Sequence, residues 1–109
     1  LFESELALYI FPDGSYYKGS FFAGKAEGKG HLHNQEVDYT GQWLDNLPHG
    51  QGMEILSTGE RYHGNYKFGE KHGQGSYIWE ENCHYSGDFV HNMMTGRGRL
   101  QTCEAYYIG

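Results

Sequence analysis

Apolar and polar side chains alternate with a period of two in four separate stretches of the chain. Tyr17-Lys-Gly19-Ser-Phe21 is the first, and Tyr39-Thr-Gly41-Gln-Trp43, Tyr62-His-Gly64-Asn-Tyr66 and Tyr85-Ser-Gly87-Asp-Phe89 repeat its form. Successive side chains of a strand point to opposite faces. Tyrosine, glycine and a second ring therefore share one face. Lys18/Ser20, Thr40/Gln42, His63/Asn65 and Ser86/Asp88 share the other. This alternation predicts strands with one buried and one wet face.

A second strand follows each of these. Eleven residues beyond each leading tyrosine stands a Gly-x-Gly: Gly28/Gly30, Gly50/Gly52, Gly73/Gly75 and Gly96/Gly98. In the third copy Gly73, Gly75, Tyr77 and Trp79 keep one parity, which extends the strand. Residues 22–27, 44–49, 67–72 and 90–95 read as six-residue connections, with Gly24, Asn46, Gly69 or Asn92 where positive φ is tolerated. Each copy is a β-hairpin. Polar turns such as Pro12-Asp-Gly14 and Ser57-Thr-Gly59 join one hairpin to the next.

The leading tyrosines lie 22, 23, 23 and 22 residues apart, Tyr107 opening a fifth copy. The repeats accordingly span 17–38, 39–61, 62–84 and 85–106, with a truncated start at 107–109. Residues 1–16 read as the second strand of a degenerate preceding copy or a cap, with Tyr9 and Phe11 at the late positions and Glu5 and Ala7 replacing the paired glycines. The predicted fold is all-β: an elongated antiparallel β-meander of successive hairpins. Composition supports it. The 17 glycines all fall at repeat positions, and those at +2, +11 and +13 from the leading tyrosine read as sites beneath rings. Glycine costs a helix roughly 1 kcal/mol per position relative to alanine. The ten Tyr, six Phe and two Trp supply material to bury, which argues against disorder.

Charge narrows the partners. Eight Lys+Arg against 14 Asp+Glu give a formal charge of −6, so neither nucleic acid nor an anionic membrane meets a cationic footprint. The longest apolar run, Leu6 to Phe11, is too short to span a bilayer. The chain shows no signal-peptide pattern and only two cysteines, Cys83 and Cys103, which favours a reducing, cytoplasmic setting with free thiols.

Tyr-x-Gly-x-aromatic, Gly or Asn at +7 and a following Gly-x-Gly together resemble the MORN (membrane occupation and recognition nexus) repeat. The third copy, Tyr62 to Gly75, matches that pattern most closely. The resemblance implies a single-layer sheet curling into a groove lined by aromatic rows. It also implies a scaffold or docking surface, with any chemistry supplied by an additional domain, and proteins of this kind occur in ciliary, cytoskeletal and junctional assemblies. The expected function is a non-enzymatic protein–protein interaction scaffold, cytoplasmic and cytoskeleton- or cilium-associated. Tyr39, Trp43, Tyr62, Tyr66, Tyr77, Trp79, Tyr85 and Phe89 would line a groove for a partner's peptide or amphipathic helix, or for a second copy. A phosphoinositide-binding membrane tether is the alternative, and an accessory domain of a larger enzyme a third reading.

Candidate chemistry is sparse. Gly24 to Gly30 lacks the Gly-Lys-Ser/Thr ending and helix of a phosphate loop. His31 and His33 share a strand face and read as solvated, while His49 and His72 sit in turns, so no metal or cofactor is expected. Lys25/Lys29 and Lys67/Lys71 lie among Glu27 and Glu70 and read as solvated turn charges. No residues assemble into a catalytic set.

Overall fold

Two central residues of positive φ fix how each hairpin of this chain closes. The computed structural model describes residues 5–80 and 83–101. Among these, Ala23/Gly24, Asp45/Asn46, Phe68/Gly69 and His91/Asn92 have φ between 47° and 88°. Paired positive φ is the type I′ hairpin turn, whose twist matches that of the flanking strands. The strands are β1 (Glu5–Ile10), β2 (Tyr16–Phe22), β3 (Lys25–His33), β4 (Val37–Leu44), β5 (Leu47–Leu56), β6 (Arg61–Lys67), β7 (Glu70–Glu80), β8 (Cys83–Val90) and β9 (Met93–Gln101). All nine form one antiparallel sheet in chain order, only 16 Å across its thinnest direction. This is the meander expected from the alternation, in the single layer that the family resemblance implies.

The six-residue connections are corrected to two-residue turns. Alternation broke off too early because each hairpin carries a bulge. Gly19 faces Gly30 and Phe21 faces Ala26, so Ser20 stands opposite residues 27–29. The same irregularity recurs between Gly41 and Trp43, Gly64 and Tyr66, and Gly87 and Phe89. Gly28, Gly50, Gly73 and Gly96 sit at these bulges with φ of 89–98°. They are therefore backbone-bending positions, not sites beneath rings. A side chain at Gly28, Gly50 or Gly73 would meet Ser20, Gln42 or Asn65 on the polar face.

The remaining paired glycines do lie under rings. Gly19, Gly30, Gly41, Gly52, Gly64, Gly75, Gly87 and Gly98 are successive cross-strand partners from β2 to β9, and Ala7 continues the row onto β1. Each leading tyrosine lies flat across this row and its hydroxyl donates to a carbonyl three residues on. Tyr17 reaches Ser20 O, Tyr39 Gln42 O, Tyr62 Asn65 O and Tyr85 Asp88 O, at 2.8–3.0 Å. A Cβ on Gly30, Gly52 or Gly75 would stand 2.1–2.3 Å from the hydroxyl oxygen above it.

The rings then join one repeat to the next. Phe21–Tyr17–Trp43–Tyr39–Tyr66–Tyr62–Phe89–Tyr85 is an unbroken zigzag of edge-to-face contacts, with centroids 5.0–5.4 Å apart. Tyr17, Tyr39 and Tyr62 each touch the second ring of their own repeat and that of the following one. Edge-to-face pairs contribute about 0.5–1.5 kcal/mol each beyond buried area.

Turns dock in parallel with the rings. Asn46 N–H donates to Ala26 O at 3.0 Å while its Oδ1 accepts from Ala26 N–H at 2.8 Å. Asn92 makes the same pair with Lys71. Gly69 N–H donates to Pro48 O, but proline has no N–H to give back. Asn46 and Asn92 thus stand where a donor waits for the side chain, and Gly69 where none does. Cys83 is 1% exposed and disulfide-bonded, which corrects the expectation of a free thiol. Cys103, residues 81–82 and the fifth-copy start at 107–109 lie outside the described residues.

Substitution should separate these two ladders. Gly75→Ala is expected to cost about 3 kcal/mol by overpacking against Tyr62. Asn92→Gly should cost only ~1 kcal/mol, the worth of one hydrogen bond. Gly69→Asn should not stabilise. Urea denaturation measures all three, and a Gly75→Ala variant as stable as the parent would contradict the flat tyrosine.

Candidate functional site

The aromatic face was expected to be an open groove, and most of it is interior. Tyr39, Trp43, Tyr62, Tyr66, Tyr85 and Phe89 are at most 7% exposed and belong to the core. Tyr39, Tyr62, Tyr66 and Tyr85 are thereby corrected from groove lining to core. A ring flat over glycine with neighbouring rings against its edges has little surface left for a partner. Tyr77 and Trp79 are only partly buried, packed against the cluster from its margin. Their ring centroids are 6.0 Å apart.

Among the described residues, two hollows border the ring cluster on this face. One, of 460 Å³, is walled by Tyr77, Trp79, Met94 and Asn92, with Phe89 beneath and Glu60 and Lys71 at its polar side. The other, of 400 Å³, lies between Tyr9, Phe11, Phe21, Leu32 and Trp43 at the N-terminal end. Of the eight expected residues, the first hollow gathers Tyr77, Trp79 and Phe89, and the second takes Trp43. Tyr39, Tyr62, Tyr66 and Tyr85 line neither. Met94 and Glu60 were not singled out from the sequence, and Asn92 was read only as a turn residue.

A charged knot separates the hollows. Tyr66 OH donates to Glu54 Oε1 at 2.6 Å, and Lys71 Nζ lies 3.3 Å from Glu54 Oε2. Both charged side chains are about 15% exposed (15% and 14%). The ammonium also sits over the rings of Tyr62 and Tyr77, 5.3 and 5.8 Å from their centroids. Tyr77 OH in turn donates to Glu60 Oε1. Lys71, read from the sequence as a solvated turn charge, is instead a half-buried cation serving two rings and a carboxylate.

Burial, reinforced by the Glu54 charge, pushes the Tyr62 hydroxyl up to about 12. Burial and the Glu60 hydrogen bond push Tyr77 to about 12 as well. Tyr39 and Tyr66 are raised further, again chiefly by burial and then by Glu54.

The opposite face carries side chains of both ridges flanking the glycine row. His31 and His33 both engage Asp38, His33 Nδ1 at 2.9 Å from Oδ2, and Tyr16 stacks on His33 at 5.3 Å. Burial alone would raise the Asp38 carboxyl, but its hydrogen bonds to the two histidines hold it below the usual range. Over Gly19, Gly30 and Gly41 this face forms a trough of 670 Å³. Its continuation over Gly64, Gly75 and Gly87 is lined by His63, Asn65, Gln74, Ser76 and Ser86.

The aromatic face generates two expectations. Trp43→Ala should cost about 3–5 kcal/mol as a core truncation, whereas Trp79→Ala should cost roughly 1–2 kcal/mol, both read by chemical denaturation. The tyrosines set an alkaline limit. Unfolded tyrosine ionises near pH 10, while Tyr62 and Tyr77 keep their protons to about 12 when folded. Stability is therefore fully present below about pH 10 and falls as pH rises toward 12. Phenolate absorbance followed beside circular dichroism should show these tyrosines ionising together with unfolding; ionisation with the sheet intact would refute it.

Comparison with known proteins agrees with this architecture. The MORN repeat model matches residues 17–34, 39–61, 62–84 and 85–103. Over 47 residues the chain is 47% identical to Protein TIC 100 of Arabidopsis thaliana, a match covering 41% of this chain and 5% of that protein. The chain thus spans a small fraction of the curated relative that it matches. With four consecutive matches, each falling on one ring-over-glycine hairpin, the chain belongs to the MORN repeat family.

Proposed function

We propose that this array is a non-enzymatic protein-interaction module whose hollow at Tyr77, Trp79 and Met94 receives an apolar side chain of a partner's peptide or amphipathic helix. MORN repeats are in general binding modules for proteins or membranes, and the hollow supplies the local reading. One observation carries it: Trp79 stays partly exposed beside a 460 Å³ cavity, against a cluster in which Tyr62, Tyr66, Tyr85 and Phe89 are buried. Tryptophan in such a position gains the most from a partner that completes its burial. Glu60 and Asn92 at the margin would orient the incoming chain by hydrogen bonds. The formal charge of −6 and the neutralisation of Lys71 by Glu54 favour a protein over an anionic bilayer. A scaffold role in a cytoskeletal or ciliary assembly is the setting we propose for this binding, in line with the family resemblance.

Selection of peptides from a random library on the immobilised chain, followed by titration, tests the reading. Binding should perturb the fluorescence of half-buried Trp79 more than that of Trp43. Trp79→Ala should weaken binding by about 2 kcal/mol or more while its melting stays cooperative. Selected peptides that bind the variant equally well, or sedimentation with anionic vesicles in place of any peptide binding, would overturn it.

A further inference from the structure

The trough on the polar face is a second site, independent of the Trp79 hollow. Its floor is the row Ala7, Gly19, Gly30 and Gly41, successive partners across β1 to β4. One bank is formed by Leu8, Lys18, His31 and Thr40, which are likewise successive cross-strand neighbours. The other holds Leu6, Lys29 and Gln42. The trough exists because glycines bring no bulk to the centre while both flanking positions carry long side chains.

Two features of this end have no role in the fold. In a one-layer sheet, residues of β1 facing away from the rings should be polar, yet Leu6, Leu8 and Ile10 are apolar and 84%, 59% and 65% exposed. They cover none of the core. The charges are equally out of keeping with an acidic chain. Lys18, Lys29 and His31 line the trough, and no aspartate or glutamate does. Neither lysine has an ion-pair partner among the described residues. Asp38, beside His31, is already engaged by His31 and His33. The farther stretch of the same trough, over Gly64 to Gly87, has neither an apolar bank nor a lysine.

We infer that the trough over Gly19, Gly30 and Gly41 binds an acidic, apolar segment of a partner protein. Its apolar side chains rest against Leu6 and Leu8, and its carboxylates meet Lys18 and Lys29. Complementary charge selects the segment, since an acidic ligand is repelled by most of this chain and attracted here. The exposed leucines contribute the burial that ion pairs in water lack.

A labelled pentapeptide of alternating aspartate and leucine, titrated into the isotope-labelled chain, tests the inference. The amide signals of Gly19, Gly30 and Gly41 should move while those of Gly64, Gly75 and Gly87 stay. Lys18→Glu with Lys29→Glu should weaken binding at least about tenfold, as should Leu6→Ser with Leu8→Ser, all four being exposed positions whose change leaves the amide spectrum otherwise intact. Trp79→Ala should leave this binding unchanged, so failure of the hollow and failure of the trough are read separately. The inference is overturned if the glycines do not shift at about 1 mM peptide, if a lysine–leucine peptide binds as well, or if the charge-reversed variant binds equally.

Discussion

A tyrosine ring lying flat over a pair of facing glycines is the contact on which the whole molecule rests. With one sheet and no second layer, this chain must bury its apolar surface against its own backbone. Only glycine permits that approach: a methyl at Gly30, Gly52 or Gly75 would fall inside the tyrosine hydroxyl above it. Because the ring lies down, its hydroxyl reaches a carbonyl of its own strand, and a polar atom is satisfied without a partner layer. Its edge then meets the second ring of the next repeat, so burial in one hairpin is completed by its successor.

The same dependence on the neighbour runs through the turns. Asn46 and Asn92 answer donors on Ala26 and Lys71, and Gly69 faces a proline that offers none. Where the pattern of repeats loosens, surface appears. Phe21, the first ring of the zigzag, borders the N-terminal hollow, and Trp79 borders the one near β9. The charged knot of Glu54, Lys71 and Tyr66 sits between them, adding a half-buried ion pair and a hydrogen bond to the ring contacts in mid-array. Among the described residues, the buried rings from Tyr17 to Phe89 thus have one hollow at Phe21 and another at Trp79. The glycine row is read from the other side as a trough whose lining changes from basic and apolar to neutral and polar.

How far the sequence led depends on the kind of residue. Glycine spacing and the Tyr-x-Gly-x-aromatic form were enough for the strand order and the pairing of glycines, since parity alone aligns them. Turn length was misread because the bulge at Gly28, Gly50, Gly73 and Gly96 breaks the alternation, and positive φ there leaves no mark beyond the glycine itself. The candidate groove was half legible. Tyr77 and Trp79 border a cavity, whereas Tyr39, Tyr62, Tyr66 and Tyr85, assigned to the same groove, are core rings of the zigzag. The apolar run Leu6 to Ile10 could have signalled the trough, since it is apolar at both parities where one face should be wet.

The sequence by itself determined which residues share a face, where the hairpins repeat, and that a meander of hairpins would follow. Those are properties of local backbone geometry, written in a period of two and a period of 22 or 23. The tertiary structure alone decided which rings are core and which are surface. Burial of a leading tyrosine is set by the edge of a ring some 26 or 27 residues away, as in Tyr17 with Trp43 and Tyr39 with Tyr66. Alternation reports the face of a side chain; only the neighbouring repeat fixes its depth.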